Sequence, residues 1–406
     1  MKPKHASDHV ASGWLFLATV LTLPAARLAA QAHLIRTLTG TVQNGEFGAT
    51  IASAGDVDRD RRPDVLIGAP GVAKVFLHSG KEGKLLRTLS GPSRFGTSLS
   101  SIGDINRDGH GDWIVGATAQ THVLSSKDGS LIRKHAVMGT CVAAVGDVDK
   151  DLVPDYIVGS HKALTYGTVY LFSGRDGRLI RTYQGTKESG VNYGFTLAAM
   201  GDVNADGVPD IAIGAPGRSA RIVSGKANTV IWAVVVSGSS FGTWVANAGD
   251  LDRDGAADLA VSDPRNAQYV RLFSGRSGKP LFTATSPSLQ LGGSLATAGD
   301  VDRDGYPDIA SGNLYDDRFG PNAGSIEVLS GRDGKRLLLL GGVSSEYLGS
   351  SLASVGDLDG DGVADLAAGA PLRPPGTVRF FSGGASGTRA AYASMFNASG
   401  SSNKPP

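Results

Sequence analysis

Seven short stretches of this 406-residue sequence set oxygen-bearing side chains at positions one, three, five and nine in the pattern D-x-[DN]-x-D-x-x-x-D. They are Asp56, Asp58, Asp60 and Asp64; Asp104, Asn106, Asp108 and Asp112; Asp147, Asp149, Asp151 and Asp155; Asp202, Asn204, Asp206 and Asp210; Asp250, Asp252, Asp254 and Asp258; Asp300, Asp302, Asp304 and Asp308; and Asp357, Asp359, Asp361 and Asp365. Hard oxygens at alternate positions, followed by a sharp turn at position six such as Gly255, resemble the start of an EF-hand loop, and calcium takes six to eight oxygens. A backbone carbonyl at position seven, Ala256 in the fifth stretch, would add another ligand. One such loop alone reads equally as an Asx-turn cluster on a solvated surface. Seven in phase are read as calcium sites, up to seven ions in all. The stretches hold 26 of the 38 acidic residues, and carboxylates packed this closely repel one another unless a cation lies among them. Arg61 and Leu152 stand where position six is otherwise glycine, so those two sites are expected to be weaker or reshaped.

Holding seven such loops takes seven copies of one unit. The first aspartates recur at spacings of 48, 43, 55, 48, 50 and 57 residues, the range of propeller blades and solenoid units. Nine residues before each stands an apolar residue followed by glycine: Phe47-Gly48, Phe95-Gly96, Met138-Gly139, Tyr193-Gly194, Phe241-Gly242, Leu291-Gly292 and Leu348-Gly349. Twelve residues after each stands a small residue: Gly68, Gly116, Gly159, Gly214, Ser262, Gly312 and Gly369. Fixed offsets within units of variable length mark a constrained core with unconstrained connections. Each unit reads as four strands, exemplified by residues 48–54, 64–67, 168–172 and 178–183, the third closed by the turn Ser173-Gly174-Arg175-Asp176-Gly177. No stretch combines a 3.6-residue period with caps, so almost no helix is expected. The predicted fold is an all-β, seven-bladed β-propeller, with an open solenoid as the alternative. Residues 34–40 copy residues 85–91 yet precede the first complete unit, so this N-terminal strand is expected to complete the last blade beside residues 378–382.

Residues 1–32 carry Lys2 and Lys4, an apolar run from Trp14 to Leu23, and Ala30 and Ala32 in A-x-A positions, the order of a cleaved signal peptide. The run is short for a membrane anchor. The domain reading is therefore a signal peptide at 1–32, a propeller at 33–384 and a Gly/Ser-rich flexible tail at 385–406. The mature chain is expected to be soluble and secreted, outside the cytoplasm, whether extracellular, periplasmic or at the cell surface. A single cysteine, Cys141, excludes an internal disulfide and multi-cysteine metal sites. It is expected to be a small buried hydrophobe. The net charge of +1 offers no general attraction to nucleic acid or anionic membrane. Loss of the leader leaves −1, and seven divalent ions would make the loaded chain basic.

The paired markers resemble the FG-GAP repeat family, known from integrin α-subunit N-terminal propellers and from secreted bacterial proteins. Phe47-Gly48 with Gly68-Ala69-Pro70 is the fullest copy, and Gly214-Ala215-Pro216 and Gly369-Ala370-Pro371 repeat its second half. The resemblance implies a seven-bladed propeller with structural calcium in blade loops and a role in extracellular interaction, partners being protein or polysaccharide and the chain a monomer. No inserted von Willebrand-type domain is found, so integrin-like heterodimer adhesion is not implied. Ligand-binding candidates are expected on the face away from the aspartate loops: Tyr315, Asp316, Asp317, Arg318 and Phe319 in one loop; His161, Lys162 and Tyr166 in another; and Lys187, Glu188 and Tyr193 in a third. Variable solvated connections are the plainer reading of the same residues.

No catalytic constellation stands out. Gly238-Ser239-Ser240-Phe241-Gly242 matches G-x-S-x-G but enters a strand without the strand-turn-helix context of a nucleophile elbow. His78, His110 and His122 are scattered and read as solvated. A secreted hydrolase or lyase acting on polysaccharide or lipid headgroups is the alternative function, which a deep polar pocket with convergent Asp, His or Arg would favour.

Overall fold

The computed structural model describes residues 34–237, 239–264, 269–285 and 291–384. The expected leader, the expected tail and Gly238 of the G-x-S-x-G segment lie outside the described residues. Twenty-eight strands form seven antiparallel sheets of four, each a meander. Blade one comprises Thr50–Gly55, Asp64–Ala69, Lys74–His78 and Leu85–Ser90. Blades two to six follow the same order, and the one helical turn among the described residues is Pro70–Val72. Blade seven is built from Ser351–Gly356, Asp365–Ala370 and Thr377–Phe381, completed by Leu34–Thr39, whose Thr39 pairs with Thr377 and Leu34 with Phe381. The ring closes as the duplicated N-terminal segment predicts.

Burial explains the strand sequences. First strands of successive blades pack side by side around the axis. Second strands lie between neighbouring blades on both faces, so Asp64–Ala69 is buried at every position and reads as a nearly continuous apolar run. Fourth strands form the rim and are mostly half-buried or exposed, as in Leu179–Gln184. Apolar clusters fill the gaps between blades: Leu66, Val75 and Leu77 of blade one meet Phe95, Trp113 and Val115 of blade two. Each blade thus buries its faces only against its neighbours.

The markers have local physical causes. In the first strand of blade one, the register shifts between Ser53 and Gly55, and Gly55 has φ +74, a bulge that turns the chain into its aspartate loop. The hydroxyl two residues after the glycine of the apolar-Gly pair latches onto the next blade: Thr50 Oγ1 donates to Gly96 O (2.7 Å), Ser98 Oγ to Gly139 O (3.0 Å), Ser294 Oγ to Gly349 O (2.7 Å) and Ser351 Oγ to Gly48 O (2.7 Å). The small residue at plus twelve lies beneath that latch, since a Cβ on Gly68 would stand 2.2 Å from Thr50 Oγ1 and 2.4 Å from Gly96 O. At the rim, arginines of fourth strands donate to carbonyls of the neighbouring blade's strand 3-to-4 turn. Arg36 reaches Ser79 and Lys81, Arg87 reaches Ser126 and Lys127, Arg133 reaches Ser173 and Arg175, and Arg181 reaches Gly225 and Lys226.

Two of the histidines expected in solvent are packed instead, because the imidazole fills gaps between blades. His78 meets the Phe47 ring edge-on and bonds Gly83 O, and His122 meets Phe95. A third imidazole, His135, stacks on Phe172 with centroids 3.9 Å apart and bonds the Tyr156 hydroxyl at 2.8 Å. Burial, reinforced by nearby Arg133, pushes the His135 imidazole down to about 4. The unfolded chain then binds more protons than the native one between about 4 and 6.5, so this residue removes stability as pH falls through that window. His135→Phe is expected to flatten the fall in melting temperature between pH 7 and pH 4 relative to the parent chain. An unchanged slope would refute this assignment.

Candidate metal centres in the aspartate loops

Every aspartate loop is organised by its own backbone. In blade five, Asp250 accepts the N–H groups of Asp254 and Gly255 on separate oxygens, both at 3.0 Å. Asp252 Oδ1 accepts Asp254 N at 3.2 Å, and Asp254 Oδ1 accepts Ala256 N at 2.9 Å. The same two-oxygen arrangement at position one holds in blades one, two, three, four and six. In blade seven Asp357 Oδ1 instead accepts from Gly360. Curling the chain this tightly takes two left-handed residues. Position six has φ +72 at Arg61 and +68 at Leu152, so those side chains do sit in the strained region expected of them. Position four is also left-handed, at Arg59, Arg107, Lys150, Ala205, Arg253, Arg303 and Gly360. That second requirement leaves no trace in the sequence, because the residue types there, mostly Arg, give no sign of it.

The carboxylate at position nine differs from the others. Asp64, Asp112, Asp155, Asp210, Asp258, Asp308 and Asp365 are all 0% exposed. Asp258 Oδ2 accepts Leu251 N (2.6 Å) and Asp252 N (3.2 Å), while its Oδ1 accepts Gly275 N (2.9 Å) from the strand 3-to-4 turn. It thus ties the loop to the Ser-Gly turn on the same face of the ring. The turn residue is glycine because a Cβ on Gly275 would stand 1.8 Å from Ala257 O, and one on Gly80 would stand 1.8 Å from Pro63 O. In blade two Ser126 replaces this glycine, and Asp112 Oδ1 is buried without a hydrogen bond of standard geometry. Burial pushes Asp112, Asp155, Asp210, Asp258 and Asp365 up to about 6 and Asp308 to about 7, against the opposing pull of the backbone donors.

Five loops bring three carboxylate oxygens within 4.8 Å of one another. The groups are Asp56, Asp58 and Asp64; Asp147, Asp149 and Asp155; Asp250, Asp252 and Asp254; Asp300, Asp302 and Asp304; and Asp357, Asp359 and Asp361. Loops two and four carry Asn106 and Asn204, and Asn106 Nδ2 donates to Asp108 Oδ2 at 3.1 Å. The donor set is entirely hard oxygen, which suits a divalent cation of the calcium or magnesium kind. Asp149 Oδ1 is buried without a partner, as a ligand oxygen lacking its ion would be. Guanidinium groups compete at some loops: Arg178 pairs with Asp149 (2.7 Å), Arg276 with Asp254 (3.4 Å) and Arg62 with Asp357 (3.2 Å). Such surface pairs are weak and yield readily to a divalent ion.

Comparison with known families agrees with this architecture. A family model described as FG-GAP repeat matches residues 47–83 and 348–388, and one described as FG-GAP-like repeat matches residues 202–261 and 250–311. The chain is an FG-GAP repeat propeller. No curated protein matches it. Among the described residues of this FG-GAP chain, no helix is long and apolar enough to cross a membrane.

On the opposite face of the FG-GAP ring, the loop candidates separate into two kinds. Tyr193 is 3% exposed, a core residue with its N–H bonded to Tyr166 O. Asp316 is 2% exposed and is gripped by Arg318, which also reaches the buried Glu327. A carboxylate buried in a third strand needs a cation nearby, and the loop is folded inward to supply one. Phe319 lies against Gly341, where a Cβ would stand 2.3 Å from its ring. Asp317 accepts Asn322 N (2.7 Å), and Tyr315, 44% exposed, meets Tyr347 edge-on. Tyr193 and Asp316 are therefore internal residues, whereas Phe319 is half-buried. Glu188 lends its carbonyl to Arg218. His161 and Lys162 do line a cavity of about 470 Å³ at the axis, with Phe195, Trp244 and Cys141. Cys141 is half-buried there, more open than a core position.

Proposed function

We propose that this chain is a secreted, calcium-stabilised interaction module in which calcium holds the blade loops and the opposite face meets the ligand. The observation that supports it most is the set of seven in-phase loops whose carboxylates are already oriented by backbone N–H groups. Calcium supplies the charge that lets three carboxylates share one small space. The chain's own residues do the rest: position one is held open by two N–H groups, and position nine anchors the loop to the next turn. Export follows from the leader-like residues 1–32, and a location outside the cytoplasm provides the millimolar calcium that weak loop sites of this type require.

Calorimetric titration of the purified chain with calcium, joined to thermal unfolding with and without chelator, tests the reading. Five to seven ions are expected, with the loops carrying Arg61 and Leu152 filling last, and chelator is expected to lower the melting temperature substantially. Absence of binding together with an unchanged melting temperature would remove calcium from the account.

A further inference from the structure

The axial cavity is one end of a longer trough. A second cavity of about 640 Å³ lies over blades three to five and shares His161 and Phe195 with the first. We propose that this trough binds an acidic oligosaccharide, an assignment that rests on the interaction-module reading above and gives its ligand a chemical class.

Internal repetition makes the unusual residues visible, because each blade is a copy of the others. Directly after the glycine of the apolar-Gly pair, the remaining blades carry Ala49, Thr97, Thr140, Thr243, Gly293 and Ser350, but blade four carries Phe195. Where Thr50, Ser98, Thr196, Ser294 and Ser351 stand, blade five carries Trp244 and blade three Cys141. Where four blades have Pro70, Pro216, Pro264 and Pro371, blade three has His161, with Thr118 in blade two and Leu314 in blade six. Trp244 and Cys141 each stand where an inter-blade latch hydroxyl would be. All four departures meet in one trough, and departures from a fold's own rule collect where a site is built.

Their chemistry selects the ligand. Phe195, 36% exposed, and Trp244 offer apolar planes suited to the C–H faces of a pyranose ring. Asn192, Ser239 and Thr243 give the outer cavity a neutral rim that both donates and accepts hydrogen bonds. His161 Nδ1 is buried without a hydrogen-bond partner at the point where the cavities join. Among the described residues no carboxylate lines either cavity, whereas Lys162 is exposed at the axial one; Arg94, also lining it, is already paired with Glu46 at 2.7 Å. A chain of hydroxyl-rich rings bearing a uronate matches planes, rim and charge together. A lipid would leave the rim unpaired, and a neutral glycan would leave Lys162 without a partner.

The test is calorimetric titration of the purified chain in calcium with a hyaluronan tetrasaccharide, against chitotetraose as the neutral oligomer of equal length. Saturable binding of the acidic probe, at least about tenfold tighter than the neutral one, is expected. Phe195→Ala is expected to weaken both by about tenfold, and Lys162→Met to remove only the preference for acid. No binding of the acidic probe, equal binding of both, or Phe195→Ala binding like the parent would each overturn the proposal. Melting temperature with and without chelator, read on the same samples, separates the two ideas. Glycan binding without calcium stabilisation would sink the calcium reading alone, and calcium stabilisation without glycan binding would sink the trough alone.

Discussion

Asp258→Ala is expected to destabilise the chain by about the same amount in chelator as in calcium, whereas Asp254→Ala, four residues earlier, is expected to show most of its effect only in calcium. Asp258 is completely buried and accepts three backbone N–H groups, two from its own loop and one from Gly275 in the turn. Alanine leaves all three without acceptors, at about 1–3 kcal/mol for each buried donor. A total near 4 kcal/mol is a large part of a typical 5–15 kcal/mol stability and corresponds to a fall of roughly 8 °C or more. Asparagine in its place keeps the volume but turns an NH2 toward a backbone donor, so it is expected to behave nearly as badly. Asp254 accepts one backbone N–H, that of Ala256, and otherwise meets only the half-exposed Arg276. Its loss costs about 1 kcal/mol without metal, and about 2.7 kcal/mol more at calcium a hundredfold above the dissociation constant. Thermal unfolding of both variants in the two buffers decides the matter. If Asp258→Ala melts with the parent chain in chelator, position nine serves the ion alone.

Removal of residues 1–40 is expected to abolish cooperative unfolding. The lost strand supplies the fourth member of blade seven, paired with Thr377–Phe381 along its length. Ile35 and Leu38 pack against the cluster that joins blades seven and one, which includes Val65, Ile67 and Phe380. Partial burial of two such side chains and the loss of the strand's hydrogen bonds together approach the whole net stability of an ordinary domain. The exposed edge of the sheet would also invite pairing between molecules. Arg36→Ala isolates one part of this closure, since only its guanidinium bonds to the Ser79 and Lys81 carbonyls are lost. It is expected to lower the midpoint by a few degrees, about 1–3 kcal/mol. Arg181→Ala removes the equivalent staple between blades three and four and is expected to matter less, because its strand belongs to its blade by chain as well as by pairing, whereas Leu34–Thr39 is held to blade seven by pairing alone. Circular dichroism melts of the three proteins check the order, and a truncated chain that melts like the parent would show that the ring does not depend on its N-terminal strand.

Much of this was legible in the sequence because the requirements are local. A bulge needs Gly55 and a latch needs Gly68 beneath Thr50, so these residues recur at fixed offsets and reveal seven blades. The aspartate spacing likewise shows that carboxylates converge. The double use of position nine was not legible, since its third donor comes from a turn 15 to 23 residues away at offsets that differ between blades. The burial of Asp316 was hidden for the same kind of reason: it depends on Glu327 in another strand and on the guanidinium between them. Polar loop residues look alike in sequence whether they face water or a buried charge. Phe195 and Trp244 carry a different signal, since they lie in no decorated loop and stand out only when the blades are set in register and a strict repeat is seen to break.

The pairing of Leu34 with Phe381 places the two ends of the closing strand pair side by side, with Thr39 and Thr377 at the far end of the ladder. Tension applied through these neighbouring ends would run across the ladder and not along it. Hydrogen bonds would then be loaded one after another, as in a zip, and not all at once in shear. Pulled by its ends, the ring is a clasp that opens at modest force, while thrust on its faces meets seven inter-blade interfaces together. A molecule of this build suits a role in which it is pressed between surfaces more than one in which it is stretched as a tether.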